Sequence, residues 1–208
     1  MFIQKFMSIR DEILAVLSSR ETRQINFNFQ SVTGSRVEVS SLSFQRVATA
    51  IRRGIIVPSD NLTELNDSSD LAEYHSSNNR MVALSPRHNF ENEAVIIHES
   101  IHASFDLTRS VLPKVDDELA GFFAEAFYLR LKDAPINFYT HSATVVAKSA
   151  VETILGGGSP TTAQISNIRS RILADTGYSY DVRQGCGRNR RIPRQNCSGE
   201  WYLSRGDG

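Results

Sequence analysis

Apolar residues recur at helical spacing from the start of the chain. Phe6, Ile9, Ile13, Leu14 and Leu17 share one face, which predicts a short amphipathic helix over residues 4 to 19. The period then changes to two. Ile25, Phe27 and Phe29 alternate with Asn26 and Asn28, and Val37 and Val39 alternate after Thr33-Gly34, so residues 25 to 39 read as a hairpin. Helical spacing returns from about Ser43, with Phe44, Val47, Ala48 and Ile51 on one face and Gly54 closing the helix. Residues 59 to 70 are polar and turn-rich, a predicted surface loop. Tyr74 and the run Met81 to Leu84 flank Ser77-Asn78-Asn79, a second predicted hairpin.

The rest of the periodic chain is helical. One helix spans about 90 to 107, with Asn89 as its cap and Glu91 and Glu93 at the positive end of its dipole. A second spans about 113 to 132, and a third runs from 141 to 155 and stops at Gly156-Gly157-Gly158. A fourth starts at Ser159-Pro160, with the serine as cap and the proline at the first helical position, and ends near Gly177. Beyond about 178 no period is visible, which predicts a loosely ordered tail pinned by Trp201 and Tyr202. Hairpins followed by helices predict an α+β fold, with small N-terminal antiparallel hairpins packed on a mainly helical core. Residues 1 to 177 form one predicted domain and 178 to 208 an Arg- and Gly-rich tail.

Composition narrows the function classes. The 208 residues carry 23 basic and 23 acidic side chains, so net charge gives no push toward nucleic acid or membrane. Arg183, Arg188, Arg190, Arg191 and Arg194 form a local basic stretch, but without the interleaved aromatics of a nucleic-acid surface. Arg10, Asp11 and Glu12 interrupt any signal-peptide core, and no apolar run is long enough to span a bilayer. The expectation is a cytoplasmic protein with no membrane partner. Cys186 and Cys197, in the tail, match no common zinc spacing and could be a small disulfide loop or two free thiols.

The chemistry sits at His98-Glu99-Ser100-Ile101-His102. Residues four apart lie on one face of a helix, so both imidazoles can reach one Zn²⁺. Glu99, about 100° round the helix, can reach a water on the metal rather than the metal itself. With Ala94 as origin, Ile97, Ile101 and Phe105 fall at about 300°, 340° and 20°, a core stripe. His98 and His102 fall on its edge and Glu99 just beyond, toward a cleft.

A catalytic zinc takes three protein ligands and leaves one position open. Candidates for the third are Asp106, Asp116, Asp117, Glu118, Glu125 and His141. Glu118 and Glu125, seven apart, share a face of the next helix, so periodicity cannot separate them. A helix starting with Pro113 in its first position brings Glu118 level with His102, whereas a start at Asp116 brings Glu125 level with His98. The proline favours Glu118, with Glu125 the alternative. Asp106, one turn beyond His102, suits accepting an imidazole N–H or standing in solvent. His75, His88 and His141 are isolated and read as surface or locally bonded histidines.

HExxH followed by a glutamate on the next helix resembles the zincin metallopeptidases of the gluzincin type. More narrowly, His98 to Leu107 and then Asp117-Glu118-Leu119-Ala120-Gly121-Phe122-Phe123-Ala124-Glu125 look like a group of small bacterial HExxH proteins. The resemblance covers roughly residues 44 to 130. It implies that His98, His102 and Glu118 bind Zn²⁺ and that Glu99 is the general base. It also implies that Met81 to Leu84 is the edge strand bordering the cleft, where an extended peptide could add.

The expected function is therefore a small zinc metallopeptidase acting on a peptide or protein substrate. Tyr128, Tyr139 and His141 are the candidates for stabilising the oxyanion. The competing expectation is a non-catalytic zinc-stabilised scaffold whose basic tail binds an acidic partner. A structural site has no use for Glu99, and its presence favours the enzyme.

Overall fold

The computed structural model describes residues 7–66, 70–87 and 89–174, and the backbone of Val182 and Arg183. The fold is α+β, with six α-helices among the described residues. The first, α1 (Ile9–Leu17), begins later than its apolar spacing suggests, because the Ser8 side chain accepts the Asp11 N–H and sets the start. Strands β1 (Phe27–Gln30) and β2 (Arg36–Val39) form the first hairpin, with Phe27, Phe29, Val37 and Val39 inward. Helix α2 (Ser41–Arg52) follows at once.

The second sheet differs from the expected hairpin. Strand β3 (Val57–Ser59), which ends where the stretch read as loop begins, pairs parallel with β5 (Arg80–Ala83), while β4 (Ala72–His75) pairs antiparallel with β5 from the other side. The order is β3-β5-β4, so the run containing Met81 to Leu84 is central and not the edge. The reason is physical: Met81, Val82 and Ala83 are all fully buried, as a strand covered on both faces requires. Strands β3 and β4 are the two edges, and in β4 Ala72 and Tyr74 are buried while Glu73 and His75 are partly exposed. Asn79 closes the β4–β5 turn at φ 55°, a left-handed conformation that asparagine tolerates.

Helix α3 (Phe90–Thr108) carries the histidine motif, and the Asn89 side chain accepts the Glu91 N–H to cap it. Arg109, at φ 55°, ends it and turns the chain into β6 (Leu112–Pro113) and then α4 (Lys114–Leu131). Pro113 is thus the residue before the helix and not its first turn, and β6 pairs with β7 (Val182–Arg183), an element no period announced. Helix α4 is the centre of the molecule. Fifteen of its 18 residues are buried, against α3, α5 (Ser142–Leu155), α6 (Thr162–Leu173) and the first hairpin, where Phe27 stacks on Phe123 at 4.3 Å. Each fully buried side chain such as Phe123 contributes about 1.5–3 kcal/mol. Helix α6 starts two residues after the predicted Pro160, because Thr161 and Gln164 cap it reciprocally.

At the N-terminal end of α4, the fully buried Asp116 accepts Arg169 Nε at 2.8 Å, the Ser31 hydroxyl and the Val32 N–H, tying α4, α6 and the hairpin turn together. No helix among the described residues is long and apolar enough to cross a membrane. The expected tail with Trp201 and Tyr202, the two cysteines and His88 lie outside the described residues.

Candidate metal centre

Helices α3 and α4 run side by side, joined by a short turn, and this lays one acidic face of α4 along the histidine face of α3. Both histidines are buried between them, at 6% and 8% exposure, deeper than the core edge the helical wheel implied. The difference arises because α3 is covered on several sides, by α2, the second sheet and α4.

His98 Nε2 lies 3.3 Å and His102 Nε2 3.6 Å from the same oxygen of Glu118, Oε2. Ligand atoms about 2.0–2.1 Å from a tetrahedral zinc are about 3.3 Å from each other, so these spacings approach the edges of such a tetrahedron. The three residues are a buried group whose ligand atoms all lie within 4.8 Å of one another and could hold a metal ion. Glu125 is not part of it. Its Oε2 sits 3.2 Å from the other nitrogen of His98, Nδ1, while its Oε1 accepts the Thr144 hydroxyl.

The second histidine is held in the same way. Asp117 Oδ1 lies 2.9 Å from His102 Nδ1. With each Nδ1 set against a carboxylate that can take its N–H, both Nε2 atoms face Glu118, and loss of the Nε2 proton would leave the tautomer a metal ligand needs. The role anticipated for Asp106 therefore belongs to Asp117, because Asp106 accepts the Tyr74 hydroxyl at 2.8 Å instead.

Gly121 makes room for the group. A Cβ there would stand 2.6 Å from His98 Nε2, so only glycine lets α4 approach this closely. The donor set, two imidazoles and one carboxylate with a carboxylate behind each imidazole, fits a zinc ion.

Charge and burial set the protonation. Burial works against charge on His98, but its hydrogen bonds to Glu118 and Glu125 win and push it up to about 9. Burial likewise opposes charge on His102, and Asp117 and Glu118 raise it well above its ordinary value. Against its own desolvation, Glu118 is held well below the carboxylate range, chiefly by His102. Glu99 goes the other way: burial pushes its carboxyl up, and the two histidines pull it back only in part. Glu99 stands off the three-residue group, and its Oε2 accepts the backbone N–H of Tyr74 at 2.8 Å.

The oxyanion candidates scatter. The Tyr128 hydroxyl donates to Glu93, and Tyr139 is buried with Lys148 over its ring. The His141 ring stacks on Phe122 at 4.0 Å, and Phe122 meets His98 edge-on at 4.5 Å. His141 also caps α5, with Nδ1 accepting the Ala143 N–H, and His75 lies by Glu73. Tyr74 was missed by sequence reasoning. Its contact with Glu99 joins a strand to a helix 25 residues later, and no local period reports that.

A cavity of about 300 Å³ between α1 and α2, lined in part by Arg23, Gln45 and Arg52, shares no residue with this group. Convergent titratable side chains, and not concavity, mark the site. Comparison with protein-family models gives no match, and neither the curated proteins nor the solved structures yield one.

Proposed function

We propose that this chain is a zinc-dependent hydrolase that cleaves peptide bonds, with His98, His102 and Glu118 holding the ion and Glu99 acting as general base. The observation that carries the reading is the buried convergence of both histidines on Glu118, with Glu99 beside the group and outside it. When bound by these three residues, a zinc ion would supply Lewis acidity, acidifying a water and polarising the scissile carbonyl. Glu99 takes a proton from the attacking water as its oxygen bonds to the carbonyl carbon, and delivers that proton to the amine nitrogen as the C–N bond breaks. Asp117 and Glu125 hold the imidazoles in orientation throughout.

The count of ligands supports catalysis over a zinc-stabilised scaffold. Among the described residues the group has three members, whereas structural zinc sites close with four. The substrate on this reading is a peptide or protein.

The test is Glu99→Gln. Peptide hydrolysis should fall by about 10²–10⁴-fold, the usual contribution of a general base, while zinc stays near one per chain. Undiminished hydrolysis in this variant would remove Glu99 from the chemistry.

A further inference from the structure

Strand β4 is an edge, and its pairing with β5 divides its backbone groups between two sides. The Leu71 carbonyl accepts from Leu84, and the His75 carbonyl accepts from Asn78 across the turn, so alternate residues Ala72 and Tyr74 direct their groups away from β5. The outward N–H of Tyr74 is the one Glu99 accepts. The same residue's hydroxyl donates to Asp106 Oδ2 at 2.8 Å, with Asn79 Oδ1 beside it at 3.2 Å. Glu99 and Asp106 are seven residues apart on α3, so they share a face about 10 Å apart along its axis. One tyrosine thus lies along two turns of α3, its backbone on Glu99 and its phenol on Asp106.

We propose that Tyr74 is the positioning residue for Glu99: its N–H fixes Oε2 of the carboxylate, and its phenol, held by Asp106, keeps the strand at the height where that N–H meets Glu99. The catalytic meaning of this rests on the reading of Glu99 as general base. A glutamate has three side-chain torsions to settle, and an outward edge N–H settles one carboxylate oxygen and leaves Oε1 to take the proton. Tyr74 as a whole is 9% exposed, so the strut is packed as well as hydrogen-bonded.

Two readouts test it, both on the full zinc-loaded chain. The first is amide hydrogen exchange at position 74. An outward edge N–H has no ladder partner, so its protection should require Glu99, vanish in Glu99→Ala and weaken in Tyr74→Phe and Asp106→Ala. The second is steady-state kinetics on a peptide substrate. Tyr74→Phe and Asp106→Ala should each lower kcat by about tenfold, a part of the 10²–10⁴-fold a general base supplies, with KM and zinc per chain unchanged. Asp106→Asn, which keeps an acceptor for the phenol, should stay near wild type. Protection that survives Glu99→Ala, or wild-type kcat in Tyr74→Phe, overturns the proposal. A wild-type chain that hydrolyses no peptide but shows the exchange pattern overturns the hydrolase reading and upholds the hold of Tyr74 on Glu99.

Discussion

Gly121 and His98 are in contact so close that a single added carbon would bring them to 2.6 Å. Alanine in the middle of a helix normally gains about 1 kcal/mol over glycine. Here the clash reverses the sign, since overpacking of this kind costs about 1–3 kcal/mol and the nearest atom is His98 Nε2, the nitrogen that faces Glu118. Gly121→Ala should therefore weaken zinc binding by at least about tenfold while the helix content by circular dichroism stays unchanged. Competition with a chromophoric chelator measures it.

Asp117 and Glu125 each stand behind one imidazole, at 2.9 Å and 3.2 Å. Asp117→Asn and Glu125→Gln should each reduce zinc affinity by about 10–100-fold, the usual cost of losing the carboxylate behind a ligating histidine. Glu99→Gln should leave affinity near wild type, because Glu99 lies outside the three-residue group. Titration of all three variants with one chelator separates a part in metal affinity from the role proposed for Glu99.

The raised pKa of His98 makes metal binding and metal-free stability respond oppositely to pH. In the metal-free chain the folded state holds a proton that the unfolded chain releases near its ordinary 6.5, and releases it only at about 9. The stability this gives is fully present below 6.5 and is lost as pH rises through 9. Zinc needs the neutral imidazole, so its affinity should climb over the same window with release of protons. Calorimetry in buffers of different ionisation enthalpy reads the protons, and chemical denaturation of the metal-free chain at pH 6 and pH 9.5 reads the stability.

Arg169 stands against the fully buried Asp116, 2.8 Å away, far along the chain from the histidines. Removing one partner of such a pair leaves a charge buried and costs about 3 kcal/mol or more. Arg169→Met should lower the free energy of unfolding by about that amount, as measured in urea.

How far the sequence reached depends on the range of each interaction. Helices α3 and α4 were readable because each period is local and one short turn joins them, which limits how their faces can meet. The choice of Glu118 over Glu125 rested on Pro113 opening α4. The helix starts one residue later, and Glu118 still meets both histidines, because a one-residue shift is smaller than the seven that separate the two carboxylates. The sheet order was not readable in the same way. Strand β3 is three residues long with a proline at its centre, and it pairs in parallel with β5, more than twenty residues on. The unbroken apolar run of β5 against the half-exposed pattern of β4 did carry a hint that β5 is central. Asp117 and Tyr74 depended on which histidine nitrogen faced which helix and on a strand laid across α3, and no single element encodes either.

The proposed hydrolase requires a zinc ion between α3 and α4, and its ligands decide the matter. X-ray absorption at the zinc edge of the loaded chain measures them directly. Two imidazole nitrogens, one carboxylate and one solvent oxygen are expected, with the imidazole signal halved in His98→Ala and in His102→Ala. Four protein ligands, a sulfur in the shell, or a spectrum unchanged by either substitution would contradict the proposal.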